Sequence, residues 1–306
     1  MRILIYGAGV LGCSLASGLF QKGKDVTLLA RGDWASTINE HGFIMKDILR
    51  LRTTVSRIPV INELKEDDRY DVIFVCVRYT QLDSVTASLN ANSSPALVFV
   101  GNNVATRHYA SLFPGKKVLF AFSVSAGHRE KDRVVGINVK KITIGPAASN
   151  ESLINDIFSG TGYNVLIEPN MEDYLLCHAA FILPAVFVCY RSDGDLRKLK
   201  KESAYLNMLT DASREGYRAI EKAGHEILPE TDINYESRSY GRSCFLFFKL
   251  MCSTSLGKIC ASDHAMNAVD EMIALNRDLK AFFRKAGADT PIWNELEKGA
   301  VKYLTM

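Results

Sequence analysis

Six residues, Gly7-Ala8-Gly9-Val10-Leu11-Gly12, leave this chain few folds to choose from. They form a GxGxxG run directly behind an apolar strand, Ile3-Leu4-Ile5-Tyr6, and ahead of a segment, Cys13 to Gln21, that reads as a helix. In such a turn Gly7 permits the tight bend, Gly9 lets a ligand approach the backbone, and Gly12 lets the helix pack close to the strand. The free N–H groups at the helix start then face an anion. A lone GxGxxG is weak evidence, but here strand, helix and a second strand, Asp25 to Ala30, come at the right spacing. The run therefore predicts a dinucleotide-binding turn with Gly7, Ala8, Gly9, Val10, Leu11 and Gly12 around the phosphates.

The rest of the first half continues the alternation. Asp71 to Val77 and Ala96 to Val100 are unbroken apolar runs, as in parallel strands covered on both faces. Lys117 to Phe122 reads as another strand, and Val134 to Ile144 as a hairpin ending at Gly145-Pro146. Past about residue 170 the strand pattern stops. Helical periodicity runs over 172–187, 202–223, 244–253 and 267–285, with a last helix over 294–303 and Pro291 near its entry. The fold class expected is α/β: a Rossmann-type doubly wound sheet over residues 1–169, then an all-helical domain over 170–306 for substrate and dimerisation.

The bulk properties set the bounds. Hydrophobic residues make up 47% and the formal net charge is +3, with the basic residues scattered, so no nucleic-acid partner is expected. Seven cysteines, at 13, 76, 177, 189, 244, 252 and 260, lie mostly in apolar runs with no metal-ligand spacing. They read as buried thiols of a cytoplasmic protein without a metal. The segment from Tyr174 to Tyr190 lacks any Asp, Glu, Lys or Arg. At seventeen residues, containing His178 and Pro184, it falls short of the about 20 a membrane span needs and reads as a buried helix.

The end of the second strand bears on the nucleotide. An enzyme for NADH usually places Asp or Glu about 20 residues past the glycines. This chain has Ala30 and then Arg31. An acid repels a 2′-phosphate, whereas arginine binds one with paired charge-assisted hydrogen bonds, so the expected cofactor is NADPH. Asp33 reads as the cap of a helix over 34–40.

These residues resemble the ketopantoate reductase (2-dehydropantoate 2-reductase) family. GAGVLG at 7–12 and LLARGD at 28–33 carry the likeness. Asp71 to Arg78 is similar to a family strand ending in a lysine near the cofactor, with Arg78 in that place. VFVGNNV at 98–104 resembles a strand and asparagine motif, with Asn102 on the key position. ITIG at 142–145 and GADTPIWNEL at 287–296 extend it across most of the chain. The resemblance implies an NADPH-dependent reductase acting on a C=O/CH–OH pair. It also implies an active-site lysine on the first long helix of the second domain and a glutamate that holds substrate. Leu175 or Leu176 stands at the lysine, Lys258 where an acid is expected after Ser253-Thr254-Ser255, and 263–266 contains no glutamate.

A ketone reduced by hydride needs a proton, and a positioned acid contributes about 10²–10⁴-fold in rate. Asn102, just past a strand end, can orient nicotinamide or substrate, or serve only as a turn residue. His178 is the replacement candidate for the lysine, donating a proton near neutral pH; the alternative is a core histidine. Lys258 reads as a solvated lysine or a charge at the site. Asp263 reads as a helix cap, and Arg238 and Arg242 as surface residues or carboxylate binders. The stripe Phe245 to Met251 reads as core or subunit interface. Three functions follow: reduction of a small 2-oxo acid, ketopantoate reduction itself, or an NADPH-binding sensor without catalysis. The partner expected is a small-molecule substrate, with no membrane and with a homodimer suited to the apolar helical domain.

Overall fold

The computed structural model describes residues 1–146 and 150–304. The chain divides into two compact units. The first comprises Met1–Gly101 and Ala105–Met171, the second Glu172 onward together with Asn102–Val104.

The first unit is built on one sheet. β1 (Arg2–Tyr6) leads through α1 (Val10–Phe20) to β2 (Asp25–Leu29), and α2 (Gly32–His41) leads to β3 (Phe43–Asp47), β4 (Arg52–Ser56) and β5 (Val60–Ile61). After β6 (Val72–Val75) come α3 (Leu82–Ala91), β7 (Ala96–Val100), α4 (Thr106–Ser111), β8 (Lys117–Arg129), β9 (Val134–Gly145), α5 (Glu151–Phe158) and β10 (Asn164–Ile167). The order is β4-β3-β9-β8-β7-β6-β1-β2-β5, with β10 on β9. The block β8-β7-β6-β1-β2-β5 is parallel throughout. Successive residues of a strand point to opposite faces. Ile3, Ile5, Leu28, Phe74 and Val98 join Leu15 and Leu19 of α1 and Ile154 and Ile157 of α5 in one core. Leu4, Ile73 and Leu97, between them in sequence, are as completely buried. Both faces are thus covered, which is why these strands read as unbroken apolar runs.

Two readings of this half change. Val134 to Ile144 is one strand, β9, and the hairpin pairs it with β8, which runs on to Arg129. Strands β3, β4, β5 and β10 are additional to those read from the sequence. Each is short or half-exposed, so its apolar pattern is too slight to stand out from loop.

The second unit contains α6 (Met171–Arg191), α7 (Ser203–Lys222), α8 (Arg238–Met251), α9 (Ser255–Gly257), α10 (Asp263–Asn267), α11 (Val269–Lys285), α12 (Pro291–Lys298) and α13 (Val301–Leu304). By length and composition α6 could cross a membrane, yet 72% of its apolar window is buried. Its Phe187 meets Trp293 of α12 edge-on at 5.7 Å, and its Phe181 stacks on Phe248 of α8 at 5.4 Å. On α7, a Cβ at Gly216 would stand 2.9 Å from the Cβ of Ala180 and 3.3 Å from Trp293. A hydrogen is all that position admits. Beside it the buried Glu215 carboxylate accepts the backbone N–H groups of Ile292 and Trp293, closing the start of α12.

Other boundaries move. The Ser237 hydroxyl accepts the N–H of Tyr240 and starts α8 there, so Arg238 and Arg242 lie exposed on a helix. The helix expected over 267–285 forms as α11, Val269–Lys285, with α10 a separate short helix ahead of Ala268, and the one over 294–303 becomes α12 and α13.

Candidate functional site

Strand register assembles the nucleotide end of the first unit. Tyr6 lies opposite Leu29 of β2 and Val75 of β6, and Val75 opposite Phe99 of β7. The carboxyl ends of four parallel strands therefore finish level. From that edge emerge the glycine turn, Ala30-Arg31, Cys76 to Arg78, and Gly101-Asn102. The chain leaves β1 for β2 on one side and later fills β6 on the other, so β1 is the switch point at which open sheets form a crevice.

The three glycines do different work. Gly7 has φ +115°, and a Cβ there would meet the Cys76 carbonyl oxygen at 2.6 Å. A Cβ on Gly12 would lie 2.0 Å from the Gly7 carbonyl oxygen. Both are fixed by the fold itself. A Cβ on Gly9 would meet nothing within 4 Å, so the ground beside it is open for a ligand. Gly9 caps α1 without a side-chain hydrogen bond, and the first turn carries no acid. The N–H groups and positive dipole end of α1 are thus answered by no side chain of the helix's own first turn, the condition in which a helix start binds phosphate.

Arg31 occupies the cap position of α2, exposed, and donates from Nη2 to the Tyr6 hydroxyl at 3.3 Å. Asp33 is not the cap: it sits exposed within the first turn, its carbonyl accepting the Thr37 hydroxyl. Trp34, one residue on, is buried and donates its indole N–H to the Ala8 carbonyl inside the glycine turn at 2.9 Å. The Arg129 guanidinium lies over its ring at 5.1 Å. Trp34 therefore braces the cradle from below, a role the sequence reading missed. The signal was a large aromatic three residues after Arg31, in the first turn of a helix otherwise short of apolar residues. Arg78 is exposed just past β6, its backbone N–H donating to Gln81 at 3.2 Å. Gly101 takes φ +129°, and the Asn102 side-chain oxygen that follows is buried without a hydrogen-bond partner. A buried amide oxygen left unpaired carries a desolvation cost that a ligand donor would relieve.

In the second unit, Leu175 and Leu176 are buried apolar residues, so no ammonium stands where the resemblance asks for one. His178 is half-buried. Burial, and secondarily the nearby His264, push its pKa down to about 4. At neutral pH the ring is uncharged, and its part narrows from proton donor to neutral hydrogen-bond donor or acceptor. Lys258 is mostly exposed and its ammonium holds the Asp263 carboxylate at 2.7 Å. Asp263 thus serves an ion pair across a π-helical turn, Lys258–Ser262, instead of capping a long helix. A buried glutamate does exist in this unit: Glu271, in the first turn of α11, eight residues past Asp263. The interposed π-helical turn and the break at Ala268 place it beyond residues 263–266. Glu172, Asp173 and His225 bring three possible metal-ligand atoms within 4.8 Å. The Asp173 carboxylate is already engaged, one oxygen 2.5 Å from His225 Nδ1 and the other accepting the Glu226 N–H.

With this geometry in view, the family described as ketopantoate reductase PanE/ApbA matches residues 3–149. No curated protein matches the chain. Among solved structures, a 2-dehydropantoate 2-reductase from Geobacter metallireducens GS-15 aligns with TM-score 0.81 at 15% identity over 99% of each chain. D-mandelate dehydrogenase, solved with NADH and anilino(oxo)acetate, aligns at 0.79 and 16% over 100% of this chain and 98% of that one. A dimeric ketopantoate reductase from Staphylococcus aureus aligns at 0.75 and 15% over 100% and 99%. At such identities the likeness establishes the fold, a Rossmann-like domain followed by a helical one.

Proposed function

By its N-terminal domain this chain is a member of the ketopantoate reductase PanE/ApbA family, and from that premise we propose that it is an NADPH-dependent reductase of a small 2-oxo acid. The observation that carries this is the bare start of α1, open at Gly9, beside an exposed arginine at the end of β2. Backbone N–H groups of residues 9–12 hold the pyrophosphate, and Arg31 pairs with the 2′-phosphate. Arg78 and Asn102 leave the same sheet edge and complete the contacts. When bound, the nicotinamide would supply a hydride to the carbonyl carbon and leave as NADP+, the alkoxide oxygen taking its proton from solvent water.

On the substrate side Asn102 offers an amide whose oxygen lacks a partner. Neutral His178 offers a ring N–H able to polarise a carbonyl, and Glu271 supplies the buried carboxylate that the family resemblance asks of this unit. The missing lysine supports a substrate other than ketopantoate. The structural relatives that include D-mandelate dehydrogenase support a 2-oxo acid, and the dimeric one supports a homodimer. Seven cysteines without metal-ligand spacing support a cytoplasmic setting; burial pushes the thiols of Cys13, Cys177 and Cys189 up to about 12, which keeps them unreactive. A second reading, an NADPH-binding sensor, is favoured by one fact: apolar Leu175 and Leu176 stand where the lysine should be.

The test is NADPH fluorescence on titrating the protein, then addition of 2-oxo acids of graded size, ketopantoate and phenylglyoxylate included. Binding followed by NADPH consumption supports the reductase. Binding with no consumption on any of them leaves the sensor, and no binding at all overturns both.

A further inference from the structure

The end of α11 and the start of α12 enclose a cavity of about 330 Å³, at the small end of the about 300–1,000 Å³ of small-molecule sites. The backbone fixes how the chain turns there. Gly287, at φ +65°, donates its N–H to the Arg284 carbonyl, and Ala288 donates to the Phe283 carbonyl. Helix α11 thus ends in a glycine-capped reversal that folds residues 288–290 back toward its last turn. The Lys222 ammonium donates to the Gly287 carbonyl, and the Glu215 carboxylate holds the N–H groups of Ile292 and Trp293. A rim tied at these points is set before a ligand arrives, which lowers the ordering cost of binding.

The polar side chains of this rim take little part in holding it. A threonine at a helix cap ordinarily serves the N–H groups of the first turn. Here Glu215 serves them, and the hydroxyl of Thr290, a residue only 6% exposed, makes no hydrogen bond to a described residue. The Asn294 amide, the Arg284 guanidinium and the Asp289 carboxylate line the same cavity. They too are without a hydrogen bond or ion pair among the described residues. Lys280, on the same wall, differs: the Glu297 carboxylate holds its ammonium. One unpaired cation and one unpaired anion therefore face the cavity without pairing with each other. An anion alone meets Asp289 there, and a cation alone meets Arg284. A molecule that carries both charges answers both. Phe283 and Ala288 supply the apolar part of the wall.

We propose that this cavity binds a free α-amino acid with a small aliphatic side chain. Its carboxylate pairs with Arg284 and accepts from Thr290 and Asn294, its ammonium pairs with Asp289, and its side chain lies against Phe283 and Ala288. None of the residues assigned above to nucleotide or substrate lines the cavity, so the site does not depend on the reductase reading.

Calorimetric titration of the native chain, without nucleotide, with glycine, L-alanine, L-valine and L-leucine should give saturable binding at millimolar concentration or below for at least one of the four. For the best binder, the matching acid without the ammonium and the matching amine without the carboxylate (isocaproate and isoamylamine for L-leucine) should each bind at least about tenfold more weakly, from one lost charge-assisted interaction. Arg284→Gln and Asp289→Asn, both at exposed positions, should each weaken the amino acid by about 10- to 100-fold with an unchanged melting temperature. Lys285→Gln, an exposed neighbour outside the cavity, should bind as the native chain does. No binding by any of the four overturns the proposal. Binding of isocaproate or inorganic phosphate as tight as that of the amino acid, removed by Arg284→Gln and left intact by Asp289→Asn, makes this an anion site and overturns the amino acid. Amino-acid binding that survives both substitutions lies elsewhere in the molecule and overturns the cavity.

Discussion

At the scale of single residues, His178 and Arg31 make opposite demands on water. His178 has a folded pKa of about 4 against an ordinary 6.5, with desolvation the main cause. Between those values the unfolded chain binds a proton that the folded chain refuses. The stabilisation is therefore complete above pH 6.5 and is lost as pH falls toward 4, on the order of 3 kcal/mol over the window. Urea unfolding at pH 7 and pH 4.5 should show His178→Gln losing less stability on acidification than the native chain. An equal loss would mean that the ring is solvated. Arg31, exposed, can spend its guanidinium on a ligand: Arg31→Asp should weaken NADPH by about 10- to 100-fold, from a lost charge-assisted bond, and NADH much less. Equal losses in the two titrations would deny Arg31 the 2′-phosphate. Trp34 tests the brace beneath the glycine turn. Trp34→Phe keeps a ring under Arg129 but loses the bond to Ala8, and should weaken NADPH by roughly fivefold, the value of about 1 kcal/mol for one hydrogen bond. Unchanged affinity would reduce Trp34 to core.

At the scale of elements, the strongest local signals belong to segments with long, uninterrupted patterns. The periodicity of α7 and the apolar runs of β6 and β7 could be read because each repeats a burial pattern over several residues. The breaks could not. Ala268 ends α10, and Gly299 separates α12 from α13, where helical composition continues on either side. Contact between helices decides more than propensity does. Gly216 marks the close approach of α7 to α6 and α12, so Gly216→Val should destabilise the protein by about 1–3 kcal/mol through overpacking against Ala180 and Trp293. Chemical denaturation would measure it, and a neutral result would show that α6 and α12 yield by several tenths of an ångström.

At the scale of the molecule, one ten-stranded sheet carries the nucleotide end, and a helical unit carries the remaining candidate residues. Its cavity between α11 and α12 is where the amino-acid titration applies. The amino-acid sequence alone determined the β1–α1–β2 cradle, the arginine that follows β2, and the change from strands to helices near residue 170. Each of these is written in neighbours: turn glycines, a cap position, or a run of apolar residues with one period. Only the tertiary structure decided that β8 and β9 pair over their length, that Trp34 reaches back to Ala8, that Glu271 is buried, and that His178 is neutral at pH 7. Those properties depend on segments tens of residues away, because pairing, burial and the electrostatic cost of desolvation are set by what packs around a group and not by what precedes it in the chain.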